Sequence, residues 1–223
     1  MKLGFDLTIH AHFLIQSANP CFNDGFVLAR VAAARIAPQS RAMVFIQSPS
    51  LKQPATIDIE NENGTDWVVY KAPNAGITSR TSSNTRTELG ENAHWIPEVG
   101  GKLTGTVKVQ HVSTSGDATA ASSYAVVIGQ IHSDEGHENE PLKIYYKKFP
   151  GHLKGSVFWN YEINTKGDNI GRFDYSTAVW GHDFSVVGSS PTEYPKEPEV
   201  GIALGEEFSY EVDVHQGIMQ LTF

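Results

Sequence analysis

The sequence has very little cysteine, no long apolar run and an excess of acidic charge. Cys21 is its only cysteine, so no disulfide can form within the chain and cysteine usage does not indicate a redox compartment. No apolar run approaches the roughly 20 residues of a membrane-spanning helix, which excludes a helical integral membrane protein. The formal charge of −8 argues against a nucleic-acid binder, because such proteins gain affinity by neutralising phosphates.

What the sequence does contain suits an ordinary globular protein. The 223 residues are 40% hydrophobic and 10% aromatic, which is enough for one domain with a sizeable core. The negative charge does not exclude a polyanionic ligand. Such a ligand would, however, require a locally basic groove.

Residues 1–53 differ in pattern from the rest of the chain. We predict that they form a leader of uncertain structure, followed by one domain over residues 54–223. Lys2 precedes a stretch that polar residues interrupt repeatedly, so there is no clear signal peptide. Val27–Ala37 is rich in alanine and predicts a short helix before Pro38.

From residue 54 onward, short strand patterns alternate with clusters of turn residues, which predicts an all-β sandwich or barrel. The predicted strands are Thr56–Ile59, Trp67–Lys71, Thr85–Glu91, Lys102–Val112, Ser123–His132, Leu142–Phe149, Gly155–Asn164, Asp183–Val187, Glu207–His215 and Ile218–Phe223. Lys102–Val112 alternates regularly between apolar and polar residues, as a strand with one wet face does. Ile218–Phe223 has no closing turn, so we expect a sandwich that is incomplete at its C-terminus.

Two of the predicted strands carry a possible polar site. Residues two apart on a strand point to the same face, so Gln130 and His132 share one face, and Arg86 and Glu88 share a face of their own strand. If the two strands are neighbours, a guanidinium, a carboxylate, an amide and an imidazole lie on one wall. A structural histidine and a surface charge pair are the alternative interpretations of these residues.

Such a wall suits β-elimination on a polymer of uronic acids. The reaction removes the proton on C5, beside a carboxylate, and this proton is very weakly acidic. An arginine and an amide that bind the carboxylate disperse its charge and stabilise the intermediate, an effect of several kcal/mol. A histidine or tyrosine can then take the proton.

The segments around these residues resemble the alginate lyases of polysaccharide lyase families 18 and 7. The similarity covers about residues 66–223. The segments that carry it are Asn84–Leu89, Gly129–His132, Ile144–His152, Gly155–Glu162, Trp180–Phe184 and Phe208–Val212.

The resemblance implies a β-jelly roll with a concave groove and endolytic cleavage of alginate. It also implies a secreted monomer that requires no cofactor. Arg86 and Gln130 would neutralise the substrate carboxylate, His132 would assist or act as the base, and Glu88 would orient Arg86. The further substrate contacts that we predict are Glu88, Lys143, Tyr145, Lys147 and Asn160. Gln-Ile-His, instead of Gln-Val-His, points to guluronate-containing blocks.

The sequence departs from these families at two places. Gly90 stands where members usually have a second basic residue, and a glycine weakens strand pairing. The family's C-terminal motif, Tyr-Phe-Lys-x-Gly-x-Tyr-x-Gln, supplies a catalytic tyrosine and does not occur before Phe223. An alginate-binding module without catalytic activity is therefore the first alternative.

Two other interpretations rest on carboxylates. A glycan hydrolase would need two carboxylates about 5 to 10 Å apart in the groove, and Glu162 and Glu211 are candidates. The acidic stretch Asp134–Glu140 offers oxygen ligands that suit calcium, although it lacks the spacing of an EF-hand and also fits a solvated loop.

Overall fold

The computed structural model describes residues 9–17, 26–32, 56–73, 85–90, 95–114, 116–117, 119–133, 140–163, 173–188 and 193–223. The strands are β1 Ile9–Ser17, β2 Phe26–Ala32, β3 Thr56–Glu62, β4 Thr65–Pro73, β5 Thr85–Gly90, β6 Gly101–His111, β7 Ala125–Ser133, β8 Leu142–Lys147, β9 Lys154–Ile163, β10 Phe173–Trp180, β11 Ile202–Ala203, β12 Glu207–His215 and β13 Ile218–Thr222. The one helix in these ranges is α1, Phe184–Val187. No described helix is long and apolar enough to span a membrane.

The strands form two antiparallel sheets, which confirms a mostly β protein. A strongly curled seven-stranded sheet has the order β10-β9-β8-β7-β1-β5, with β11 added beside β9. A six-stranded sheet has the order β13-β12-β6-β2-β4-β3. Both sheets contribute apolar side chains to one main core, and each fully buried side chain of this kind contributes roughly 1.5 to 3 kcal/mol to stability.

The strongest alternation in the sequence gives the clearest strand. In β6 the side chains of Val107 and Val109 are buried in the core, while Thr106 and Lys108, which alternate with them, are only partly covered. The strand therefore has one buried face and one wetter face, as predicted.

Two predictions of secondary structure are wrong. The helix over Val27–Ala37 is absent from its described part, because β2 (Phe26–Ala32) pairs with β4 and β6 instead. The strand over Asp183–Val187 is replaced by α1. The Asp183 side chain accepts a hydrogen bond from Ser185 N at 3.0 Å, which caps a helical turn that the β-branched residues alone do not favour.

The region predicted to be a leader contributes two strands. β1 pairs with both β5 and β7, and β2 lies inside the six-stranded sheet. The sequence analysis also missed β10 and the short strand β11. Cys21 and Asp134–Asn139 lie outside the described residues.

An irregularity in β7 is held by a tyrosine of the other sheet. The pairing of β7 with β8 shifts register between Val127 and Gly129, which is a β-bulge. The buried Tyr210 of β12 donates a hydrogen bond to the carbonyl of Ile128 at 2.8 Å. A β-carbon on Gly129 would lie only 2.6 Å from the Tyr210 hydroxyl, so this position requires glycine.

Candidate active site

The bulge decides which way the polar end of β7 faces. Ile128 and Ile131 belong to the main core, and Gly129 between them faces Tyr210 of the other sheet. Gln130 therefore points to the opposite face, where it pairs across the strands with Lys143 of β8. We call this face, which points away from the main core, the site face.

The register of the sheet brings the predicted residues onto the site face, and six of them are considered first. Lys143 of β8 pairs with Asn160 of β9, which continues the row that begins at Gln130. Across β1, residue 12 is opposite Gln130 and residue 16 is opposite Arg86, so both partners share one face. The six residues are Arg86, Glu88, Gln130, His132, Lys143 and Asn160.

Arg86 and Glu88 form an ion pair on β5. Arg86 Nη1 lies 3.6 Å from Glu88 Oε1, and both side chains are less than a third exposed. Thr87 between them donates a hydrogen bond to the carbonyl of Lys71 at 2.8 Å, which fixes the strand against the other sheet. Burial raises the pKa of the Glu88 carboxyl, although Arg86 and His132 both act to lower it.

Arg86 and Gln130 are offset along β1, since Arg86 is opposite residue 16 and Gln130 is opposite residue 12. Gly90, not Arg86, is in line with Gln130 across β1. The charges of Arg86 and His132 both act on the Glu88 carboxyl, so this carboxylate lies between Arg86 of β5 and His132 of β7.

Three buried polar atoms on the site face have no hydrogen-bond partner among the described residues. They are Arg86 Nε, Gln130 Oε1 and Asn160 Oδ1. Leaving such an atom unsatisfied costs about 1–3 kcal/mol. A polar ligand could supply the missing bonds, since the amides of Gln130 and Asn160 can present either oxygen or NH₂ by rotation.

A carboxylate that the sequence analysis did not assign to the site lies beside His132 and Lys143. Glu140 Oε2 is 3.0 Å from Lys143 Nζ, and Glu140 Oε1 is 3.9 Å from His132 Nε2. In the sequence, the spacing of three residues between Glu140 and Lys143 could have indicated this ion pair. Glu140 was instead assigned to the acidic stretch Asp134–Glu140.

Three tyrosines of β8 and β9 fall on different faces. Tyr145 lies on the site face, stacked on Phe158 with ring centroids 5.0 Å apart and planes 11° apart. Tyr146 points into the core and donates to the carbonyl of Ile202 at 3.0 Å. Tyr161 pairs with the core residue Leu142, so it also points away from the site face.

Lys147 does not agree with its predicted role as a substrate contact. It shares the strand face of Lys143 and Tyr145, but it is only 2% exposed. Its ammonium donates to the carbonyl of Ala121 at 2.7 Å and lies 5.2 Å from the centre of the Phe149 ring. Gln130 is buried to the same extent but keeps an unsatisfied amide oxygen, whereas the Lys147 ammonium is already bonded within the protein, so Lys147 has a structural role.

Replacing Lys147 with methionine should change how stability depends on pH. Burial lowers the pKa of Lys147 from 10.5 to about 8. Between these values the unfolded chain keeps the proton that the folded protein has lost, so this group makes stability rise with pH. From pH 7 to pH 10, the wild type should gain roughly 2–3 kcal/mol relative to Lys147→Met, measured by urea unfolding. Parallel pH curves for the two proteins would contradict this.

The carboxylates proposed for a hydrolase do not meet. Glu162 is a buried residue of β9, on the same strand face as Asn160. Glu211 is on β12 in the other sheet, where its carboxylate lies 2.9 Å from Lys102 Nζ. The described residues thus offer no groove shared by Glu162 and Glu211, which removes the basis for that alternative.

No group of three or more potential metal ligands occurs within the described ranges. Of the candidate calcium loop, only Glu140 is described, and its carboxylate contacts Lys143 and His132. Calcium binding by Asp134–Asn139 stays a prediction.

Comparisons with known proteins agree on one family. Residues 36–223 match the family model described as alginate lyase. A protein named alginate lyase from Klebsiella pneumoniae is 32% identical over 180 residues, covering 66% of this chain and 53% of that protein. A crystal structure described as the exolytic PL7 alginate lyase AlyA5 from Zobellia galactanivorans is 77% identical, with a TM-score of 0.70, covering 75% of this chain and 54% of that one. The chain thus spans about half the length of these relatives.

Proposed function

Because the chain belongs to the alginate lyase family, we propose that it cleaves alginate, a 1,4-linked uronate polymer, by β-elimination. The observation that carries the proposal is that Arg86, Gln130 and Asn160 keep unsatisfied buried atoms on the face that also carries His132. The two-sheet architecture and the similarity to AlyA5 are consistent with a jelly-roll lyase.

Each residue has a role that follows from its chemistry. The guanidinium of Arg86 and the amide of Gln130 bind the substrate carboxylate and stabilise the negative charge that develops when the C5 proton leaves. Glu88 holds Arg86 through the ion pair at 3.6 Å. His132, with its side chain 34% exposed, can reach the sugar and accept the C5 proton.

Lys143 and Asn160 extend the site along the sheet. They follow Gln130 in one row across β7, β8 and β9, and neighbouring strands are about 4.8 Å apart. The row therefore offers polar contacts to sugars on one side of the reacting unit. The side chain of Tyr145 stays a predicted contact next to this row.

We propose exolytic cleavage in place of the endolytic mode expected from the sequence. The reason is the 77% identity to a chain whose description calls it exolytic. Secretion, a monomeric state, catalysis without a cofactor and a preference for guluronate-containing blocks stay predictions.

Incubation with alginate should produce unsaturated uronate ends, which are measured by their ultraviolet absorbance. In exolytic cleavage, small unsaturated products accumulate from the earliest time points while viscosity falls slowly. A neutral polysaccharide is the matched control, because it has no carboxylate to neutralise and should give no absorbance. Absence of unsaturated product from alginate would contradict the lyase, and a rapid early fall in viscosity would contradict only the exolytic mode.

One observation favours the alternative of a binding module. Gly90 is in line with Gln130 across β1, so no cation stands at that point of the wall. In this case calorimetry would detect binding of alginate oligomers that the protein leaves intact.

A further inference from the structure

The cations of the site face are already paired within the protein. The ammonium of Lys143 is 3.0 Å from Glu140, and the guanidinium of Arg86 is 3.6 Å from Glu88. Lys147 is sealed from solvent. The described part of the face is therefore not the locally basic groove that the sequence analysis required for a polyanion, and that expectation needs correction.

The pair of Glu140 and Lys143 lies where the next sugar would bind. Lys143 is opposite Gln130 on one side and Asn160 on the other. The Lys143 side chain is 20% exposed and that of Glu140 is 29% exposed, so solvent screens the pair less than a fully exposed one. A uronate carboxylate arriving at Lys143 must compete with the carboxylate of Glu140.

We propose that Glu140 is a specificity-determining residue that, by neutralising Lys143, limits strong charge recognition to one uronate unit. The inference rests on the proposed function, because it assumes a uronate chain on the site face. Despite its ion pair with Glu88, Arg86 keeps a buried Nε without a partner among the described residues, so it binds the carboxylate of the reacting sugar together with Gln130. The neighbouring sugar meets hydrogen bonds from Lys143 and Asn160 without a net positive charge. Recognition then depends only weakly on salt.

The substitution Glu140→Gln tests this directly. It keeps the size of the side chain and frees the ammonium of Lys143 for a second carboxylate. For alginate oligomers at low salt, KM should fall about threefold to tenfold, with a smaller change in kcat, because the new contact binds substrate before the transition state. The rise of KM with sodium chloride should also become steeper than in the wild type.

Two variants show whether the effect passes through Lys143. The double variant Glu140→Gln/Lys143→Gln should return to a shallow salt dependence, because it has no freed ammonium. Glu211→Gln is the matched control, since it removes the same charge from an ion pair of 2.9 Å with Lys102 on the other sheet. It should leave both KM and its salt dependence unchanged.

The outcomes separate this inference from the proposed function. If the wild type cleaves alginate and Glu140→Gln has the same KM and salt dependence, the role of Glu140 is overturned. If the wild type yields no unsaturated product, the lyase proposal fails. Calorimetric binding of the same oligomers to the wild type and to Glu140→Gln then tests the role of Glu140. A steeper salt dependence of Kd for Glu140→Gln then supports the role of Glu140, whereas equal dependence, or no binding by either protein, overturns it.

Discussion

Replacing Arg86 with lysine should lower kcat/KM for alginate by about 100-fold or more, which corresponds to roughly 3 kcal/mol of lost transition-state stabilisation. The guanidinium offers several donors in a planar fork, and its buried Nε lacks a partner among the described residues. A lysine keeps the charge but makes no bidentate contact with a carboxylate. Steady-state rates of unsaturated product formation measure the effect.

A substitution of one cationic residue by another outside the site provides the control for Arg86→Lys. Lys102 is bound by Glu211 at 2.9 Å and Asp213 at 2.8 Å on the six-stranded sheet, far from the site face in the fold. Lys102→Arg should therefore keep wild-type kinetics. If Arg86→Lys also retained wild-type kcat/KM with an unchanged melting temperature, the assigned role of Arg86 would be wrong.

Replacing Gly129 with alanine should lower both stability and activity. The new β-carbon would lie 2.6 Å from the hydroxyl oxygen of Tyr210, closer than a β-carbon can approach, and 3.0 Å from its Cζ, so β7 or the tyrosine must move. Overpacking of this kind costs about 1–3 kcal/mol. Because Gln130 is the next residue, we expect kcat/KM to fall at least about tenfold as well, measured together with urea unfolding.

Gly105 offers a matched control for Gly129→Ala. A β-carbon on Gly105 would lie 2.9 Å from Cε1 of the same tyrosine ring, but Gly105 belongs to β6 in the other sheet. Gly105→Ala should destabilise the protein to a similar degree while kcat/KM falls much less. Equal losses of activity in both variants would show that the effect of Gly129→Ala is general destabilisation and not displacement of Gln130.

Strand periodicity predicted the β fold and the common face of Gln130 and His132, because both follow from alternation along a single strand. It failed where other parts of the chain decide the environment. Lys147 lies on the predicted strand face, but the period of two does not reveal that a loop carbonyl, that of Ala121, covers its ammonium. Glu140 becomes part of the site only through folding that brings it to His132 and Lys143.

Secondary structure was misjudged where local signals conflict with context. The apolar and β-branched residues of 184–187 favour a strand, but the cap at Asp183 turns them into a helix. In residues 1–53, the alanine-rich pattern gave no sign of the pairing that places β2 between β4 and β6. Long-range pairing of this kind leaves little trace in a short window of sequence.

The orientation of Gln130 and His132 depends on the bulge in β7. Val127 pairs with Tyr145 on the site face, and Ile128 and Gly129 then both face the core before alternation resumes. Strict alternation through the same residues would instead turn the amide and the imidazole into the apolar interior, while Ile131 would turn outward. One extra backbone residue, and not only the encoded polar side chains, thus decides whether this surface is polar or apolar.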